Sequence, residues 1–217
     1  MKILDKFINR IRSDGLFFGS CQILSRIARG IRSRFFSWVL NAPGLDIGGG
    51  NHLKGMKYVN FGRDISIFKN IWLEAVTQHN GIKFIPSIIF GDRVIISNNV
   101  HISCIKRVKI GNDVLIGSNV HISDHNHGSY SVMMSSSPDE APAYRELHSS
   151  GSVYIEDNVW IGDNVNIVGP ATIGAGAVVG SNSVVRGNIP AQTIAAGIPA
   201  RLIKKYDRVS GIWIRCT

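Results

Sequence analysis

IEDNVWIGDNVNIVGPATIGAGAVVGSNSVV, residues 155–185, decides the fold. Aliphatic residues stand at Ile155, Ile161, Ile167, Ile173, Val179 and Val185, a stride of six without a slip. Four residues after each comes Val159, Val165, Ala171, Ala177, Ser183 or Ile189. This period is neither the 3.6 of a helix nor the simple alternation of a half-buried strand. Each unit is a short strand with two inward residues and then a corner. Such a unit cannot bury its apolar side until coils stack on one another, so the pattern describes a solenoid.

Working outward, the same stamp occurs as Phe90/Val94 and Ile96/Val100, and then two residues out of phase as Ile110/Val114 and Ile116/Val120. A weaker set is Phe61/Ile65 and Ile67/Ile71. Glycine often follows the first position (Gly91, Gly111, Gly117, Gly162, Gly174, Gly180), and Asn or Asp precedes the second (Asn99, Asp113, Asn119, Asn158, Asn164, Asn182). These residues tolerate the tight, left-handed corners that β-branched residues resist. Between Ser123 and Val153 the repeat breaks into a polar, Ser-rich stretch, predicted to be a loop extruded over residues 124–152.

Residues 1–44 follow another rule. Leu4, Phe7, Ile8 and Ile11 share one helical face, and Leu24, Ile27, Ala28, Ile31 and Phe35 share another, so two amphipathic helices are expected. Their polar faces carry Lys2, Lys6, Arg10, Arg12, Arg26, Arg29, Arg32 and Arg34 against Asp5 and Asp14. That bias suits peripheral docking on anionic lipid headgroups, while a basic face left to solvent on helices packed against the solenoid is the plainer account. Asn41-Ala-Pro-Gly44 ends the helical pattern. The expected organisation is helices over 1–44, solenoid over 45–205 and a tail over 206–217.

With 217 residues, 44% of them hydrophobic and 18% charged, one folded unit is expected. Cys21, Cys104 and Cys216 are odd in number and far apart, so no disulfide framework or metal knuckle is suggested and a reducing cytoplasm fits. The GLFFGSCQIL stretch is short, holds Gln22 and is closed by Arg26, which argues against a signal peptide or membrane span. The net charge of +9 splits between the first forty residues and a C-terminal cluster, without one aromatic-studded basic face, so nucleic acid is disfavoured.

The IEDNVWIGDNV and IGNDVLIGSNV units resemble the hexapeptide repeats of bacterial acyltransferases, sugar O-acetyltransferases among them. The likeness spans roughly residues 45–205. It implies an all-β, left-handed parallel β-helix, a homotrimer with active sites between neighbouring solenoids, and acetyl-CoA as acyl donor with no metal. A saccharide acceptor follows, and the basic helices favour a lipid-linked one of a surface polysaccharide.

The resemblance to galactoside and maltose acetyltransferases places the general base at His125, where the solenoid breaks into its loop, with His127 as the alternative. An imidazole can take a hydroxyl proton and return it to a leaving thiolate. Asp139, Glu140 and Glu146 of the loop are candidate orienting partners, and Asp124 is ranked below them because it is adjacent in the chain. Trp160 of NVWIG matches a tryptophan lining the family's acceptor and pantetheine site, and Asn99 lies near an acceptor-contacting asparagine, although corner asparagines are routine in such coils. The AAGIPARLIKK segment, residues 195–205, resembles the segment that ends the family's solenoid against CoA. By that likeness Gly162, Asp163, Ser181, Arg186, Gly197, Arg201, Lys204 and Lys205 line the donor site. Guanidinium and ammonium groups there would neutralise CoA phosphates. Amino-sugar N-acetylation and antibiotic acetylation stay open. A zinc enzyme of the carbonic-anhydrase kind, using His121, His125 and His127, and a non-enzymatic scaffold are more distant readings.

Overall fold

The computed structural model describes residues 15–216. From Asp46 onward the chain winds as a left-handed parallel β-helix with three faces, an exception to the usual right-handed crossover. The first face stacks Asp46–Ile47, Ser66–Ile67, Ile95–Ile96, Leu115–Ile116, Trp160–Ile161, Val178–Val179 and Thr193–Gly197. The second stacks His52–Lys54, Trp72–Ala75, His101–Cys104, His121–Ser123 and the first half of Asn166–Ile173. The third stacks Val59–Asn60, Ile88–Phe90, Val108–Ile110, Val153–Ile155 and the second half of Asn166–Ile173.

Parallel register places like on like. Ile47, Ile67, Ile96, Ile116, Ile161 and Val179 form one interior row, partner to partner. Each of these side chains is lost from water, and burying one contributes about 1.5–3 kcal/mol. A slip of one residue along any of these strands would turn its member of the row outward.

The corner between the first and second faces is held by a polar column. Asn70 donates to Asn99, Asn99 to Asn119, Asn119 to Asn164 and Asn164 to Asn182, at 3.0, 3.1, 3.0 and 3.1 Å. All five have φ between 57° and 60°, a left-handed backbone that asparagine accepts more readily than most residues. Asn99 is thus engaged on both sides as a corner residue.

Successive members of this column are 29, 20, 45 and 18 residues apart. The surplus over the shortest coil all leaves the solenoid at one place, the corner between the second and third faces. Met56–Tyr58 forms a short 3-10 turn there, Gln78–His79 and Ile82–Lys83 form a hairpin, Ile105–Arg107 forms a wider turn, and 124–152 forms the long loop. The two-residue phase break comes from the turn at Ile105–Arg107. Val76, Phe84, Ile105 and Leu147 make a second small core that ties three of these excursions together. Asn80 also donates to the Ala143 carbonyl, joining the hairpin to the loop at 3.2 Å. The hairpin had no counterpart among the sequence expectations.

The first expected helix lies outside the described residues. The second is present as α1, Leu16–Val39. Its orientation differs from the plainer expectation of a solvated basic face. Arg29 pairs with Asp46 at 2.6 Å and lies over the Phe68 ring, Arg32 donates to the Ile47 carbonyl, and Ser33 bonds Asp46 and the Ile47 amide. These contacts turn the polar side toward the solenoid and leave Leu24, Ile27, Ile31, Phe35 and Trp38 in the open, the last 81% exposed. The end of the chain holds a strand as well: Ala200–Asp207 and Ile212–Arg215 extend the first-face sheet in antiparallel order.

The asparagine column generates a stability test. Asn119→Ala removes two column bonds and sets a Cβ-bearing residue without a polar side chain in the left-handed region, for an expected loss of about 1–3 kcal/mol. Asn119→Gly, which relaxes the backbone penalty, should lose less, and thermal unfolding of the two variants gives the order.

Candidate active site

Where the strand His121–Ser123 ends, the chain leaves the second face and Asp124 turns inward. Its carboxylate is fully buried. One oxygen accepts the Ile105 amide at 2.9 Å and the ring of His125 at 3.0 Å. The other accepts the Lys106 and Arg107 amides at 2.8 and 2.7 Å and the Cys104 thiol at 3.3 Å. Burial acts to raise this carboxyl, but the hydrogen bonds from His125 and from the Ile105 and Lys106 amides outweigh it and hold it below the usual carboxylate range.

Asp124 therefore orients His125, contrary to the ranking by chain position. Adjacency is no obstacle, because the chain turns between the two residues and brings the ring back over the carboxylate. Asp139, Glu140 and Glu146 are exposed on the loop. There Arg145 gathers the Glu140 and Pro138 carbonyls and the Tyr130 hydroxyl and shapes the loop itself. With Nδ1 of His125 held by the Asp124 carboxylate, Nε2 is the ring nitrogen turned away from that partner. His127 is exposed, with its ring edge-to-face against His79 at 5.4 Å.

His125 opens into a cleft of about 480 Å³ on the second face. Its floor is the outward row of three coils: Trp72 and Glu74, His101 and Ser103, His121 and Ser123. Its walls come from the two excursions, through Gln78, His79, Asn126, His127 and Leu147. Burial, with help from His101 and His125, pushes the His121 ring down to about 4, and burial likewise lowers His101. Burial and Asp124 push the Cys104 thiol up to about 12, so it stays protonated as a donor to Asp124. His121, His125 and His127 do not converge: among the described residues no three His, Cys, Asp or Glu side chains are grouped to hold a metal ion.

The predicted donor-site residues divide. Gly162 lies against Ser181 at one corner, and Gly197 follows close by with its amide on Ser183 Oγ at 3.0 Å. In the terminal hairpin Arg201 faces Ala196, while Lys204 and Lys205 face Ile194 and Thr193. Asp163 is already used, accepting the Ser118 amide at 2.6 Å. Arg186 stands apart from this group, in a smaller cavity of about 280 Å³ beside the long loop with Asn126, Tyr130 and His148. Trp160 is 53% exposed on the first face, in an outward row with Ile95 and Leu115, and does not line the His125 cleft of its own chain.

The sequence profile of the bacterial transferase hexapeptide (six repeats) matches residues 152–187, and that of the hexapeptide repeat of succinyl-transferase matches 107–123. A putative lipopolysaccharide biosynthesis O-acetyl transferase, WbbJ of Escherichia coli strain K12, is 44% identical over 156 residues, 71% of this chain and 76% of that protein. The chain belongs to the bacterial hexapeptide-repeat transferases. Among solved members, a hexapeptide-repeat acetyltransferase of Vibrio cholerae O1 biovar eltor complexed with acetyl-CoA is 25% identical, with a TM-score of 0.51 over 81% of this chain and 78% of that one. AntD, an N-acyltransferase of Bacillus cereus solved with dTDP and 3-hydroxybutyryl-CoA, shares the fold at 18% identity, with a TM-score of 0.63 over 78% of this chain and 84% of that one. Of this transferase's site, sequence reasoning ranked Asp124 below the loop acids and missed the Cys104 thiol and the Trp72–Glu74 floor. The spacing of Trp72, His101 and His121 carried a signal only once the unequal coil lengths were known.

The half-buried ring of His121 sets an acid limit on stability. It titrates about 4 when folded against 6.5 for a free imidazole, so between those values the unfolded chain binds more protons and stability falls as pH falls. His121→Asn, which repeats the residue found at Asn166 on the next coil, should flatten the loss between pH 7 and 5 measured by thermal unfolding.

Proposed function

We propose that this transferase moves an acetyl group from acetyl-CoA to a hydroxyl of a saccharide, with His125 as general base. The observation that carries the reading is the Asp124–His125 pair, set at the mouth of a cleft with Nε2 left for the substrate. The acceptor hydroxyl gives its proton to Nε2 as its oxygen attacks the thioester carbonyl. A C–O bond forms, the C–S bond breaks, and the leaving thiolate takes the proton back from Nε2. Direct transfer is supported because the nearest thiol, Cys104, is buried and held protonated, and Ser123 Oγ is spent on the His125 carbonyl.

The likeness to WbbJ supports a surface-polysaccharide acceptor, and the acetyl-CoA complex of the Vibrio relative supports the donor. Acylation of a sugar amine is a second reading, favoured by the fold shared with AntD. Product chemistry separates them, since an ester is cleaved by mild base and an amide is not. A homotrimer would cover the exposed Ile95, Leu115 and Trp160 row and bring Trp160 to a neighbour's site. Gly162, Ser181, Gly197, Arg201, Lys204 and Lys205 are proposed to hold CoA, with Arg186 on the loop side.

His125→Ala should lower turnover about 10²- to 10⁴-fold while leaving acetyl-CoA binding nearly unchanged in calorimetry. Arg201→Ala should do the reverse, weakening donor binding with little effect on saturated turnover. If activity survives in His125→Ala and is lost in His127→Ala, the base is His127.

The open row of α1, flanked by exposed Arg26 and Arg34, is proposed to lie on an anionic membrane surface, which places the enzyme at the cytoplasmic face beside a lipid-linked acceptor. No helix among the described residues is long and apolar enough to cross a membrane. Co-sedimentation with phosphatidylglycerol vesicles should be strong and should fall in Ile31→Glu. Equal binding by that variant would assign the row to a protein contact.

A further inference from the structure

The floor of the cleft extends well beyond the reach of His125. Four aromatic rings, His52, Trp72, His101 and His121, follow one another from coil to coil with centroids 5.1, 4.7 and 4.8 Å apart, the first pair edge-to-face, the second stacked and the third tilted. Trp72 is 46% exposed in this row. Beside it the Glu74 carboxylate takes the Lys54 ammonium on one oxygen at 2.7 Å and the Trp72 indole N–H on the other at 3.0 Å. Glu74 lines the cleft with its side chain 14% exposed, and a carboxylate oxygen can accept more than one bond. Burial works to raise the Glu74 carboxyl, but the bonds from Lys54 and Trp72 outweigh it and keep it ionised.

Between the stacked ring of His101 and the edge-to-face ring of His52, the exposed part of the indole lies beside a fixed, ionised carboxylate, and the pair suits a sugar ring: C–H groups against the apolar indole and hydroxyls on the acceptor oxygens. Trp72 lies two coils from the His121 strand, and two coil spacings are about 10 Å. One pyranose cannot present a hydroxyl to His125 and also rest on Trp72 and Glu74. We propose that Trp72 and Glu74 form a second sugar subsite, so that the acceptor is an uncharged saccharide of at least two residues laid across the coils. The reacting sugar sits at His125 and its neighbour at Trp72–Glu74. This deepens the acyl-transfer reading and rests on it.

The same floor argues against a sugar nucleotide in this position. Lys54 is the one lysine or arginine among the described residues lining the cleft, and it is committed to Glu74. A pyrophosphate laid along the row would meet the Glu74 carboxylate without a free cation to offset it.

The test is binding without donor, by saturation-transfer NMR. The probes are methyl hexopyranosides, a panel of disaccharides built from hexoses, 6-deoxyhexoses and N-acetylhexosamines, and UDP- and dTDP-glucose. A disaccharide should bind more tightly than its component methyl glycosides. Glu74→Gln and Trp72→Ala should weaken it about tenfold or more while leaving the methyl glycosides unchanged, and Trp72→Phe should restore part of the loss. The subsite is overturned if no disaccharide binds better than a methyl glycoside, if a nucleotide sugar binds best, or if both variants bind the disaccharide as the unaltered protein does. His125-dependent transfer of acetyl to a nucleotide sugar would sink the subsite and keep the acyl-transfer reading. Disaccharide binding lost in both variants, with no acetyl-CoA bound, would do the opposite.

Discussion

The site depends on one buried carboxylate. Asp124 is surrounded by donors: three backbone amides, a thiol and an imidazole. A charge so placed costs a great deal unless every lone pair is used, and here the turn at Ile105–Arg107 supplies the bonds. The same interaction fixes the corner of one coil, closes the base of the long loop on the next and aims the His125 ring.

That arrangement rests in turn on where the solenoid tolerates surplus chain. Within a face, a shift of one residue would exchange the isoleucine row for its outward neighbours, so insertion there is excluded by burial. At the corner between the second and third faces, added residues leave the stack without disturbing it. Successive coils use this freedom in different amounts, and because coils lie one above another, their excursions meet. The small core of Val76, Phe84, Ile105 and Leu147 turns three independent insertions into one wall. The cleft exists because that wall stands beside the aromatic row of the second face.

α1 shows a different resolution of the same kind of pattern. Amphipathicity ordinarily puts the apolar face inward, yet Arg29, Arg32 and Ser33 find better partners on the first coils than solvent provides. Asp46, Phe68 and the Ile47 carbonyl offer an ion pair, a ring face and an acceptor within one turn's reach. The apolar row is left exposed in consequence.

By itself the sequence determined the solenoid, the corner asparagines and glycines and the extruded loop, while the resemblance to the hexapeptide family singled out His125 at the root of that loop. The solenoid, its corners and the break at the loop follow from local repetition, because a six-residue stride with small corners buries its aliphatic residues only by stacking coil on coil. Tertiary structure alone decided that Asp124 orients the histidine, that Asn99 belongs to a hydrogen-bonded column, that Arg186 stands apart from Arg201, and that Trp72 and Glu74 share a cleft with His125. These pairings join residues tens of positions apart through coils of unequal length. Their register is set by how much chain each corner releases, and that quantity is a property of the stacked molecule and not of any one repeat.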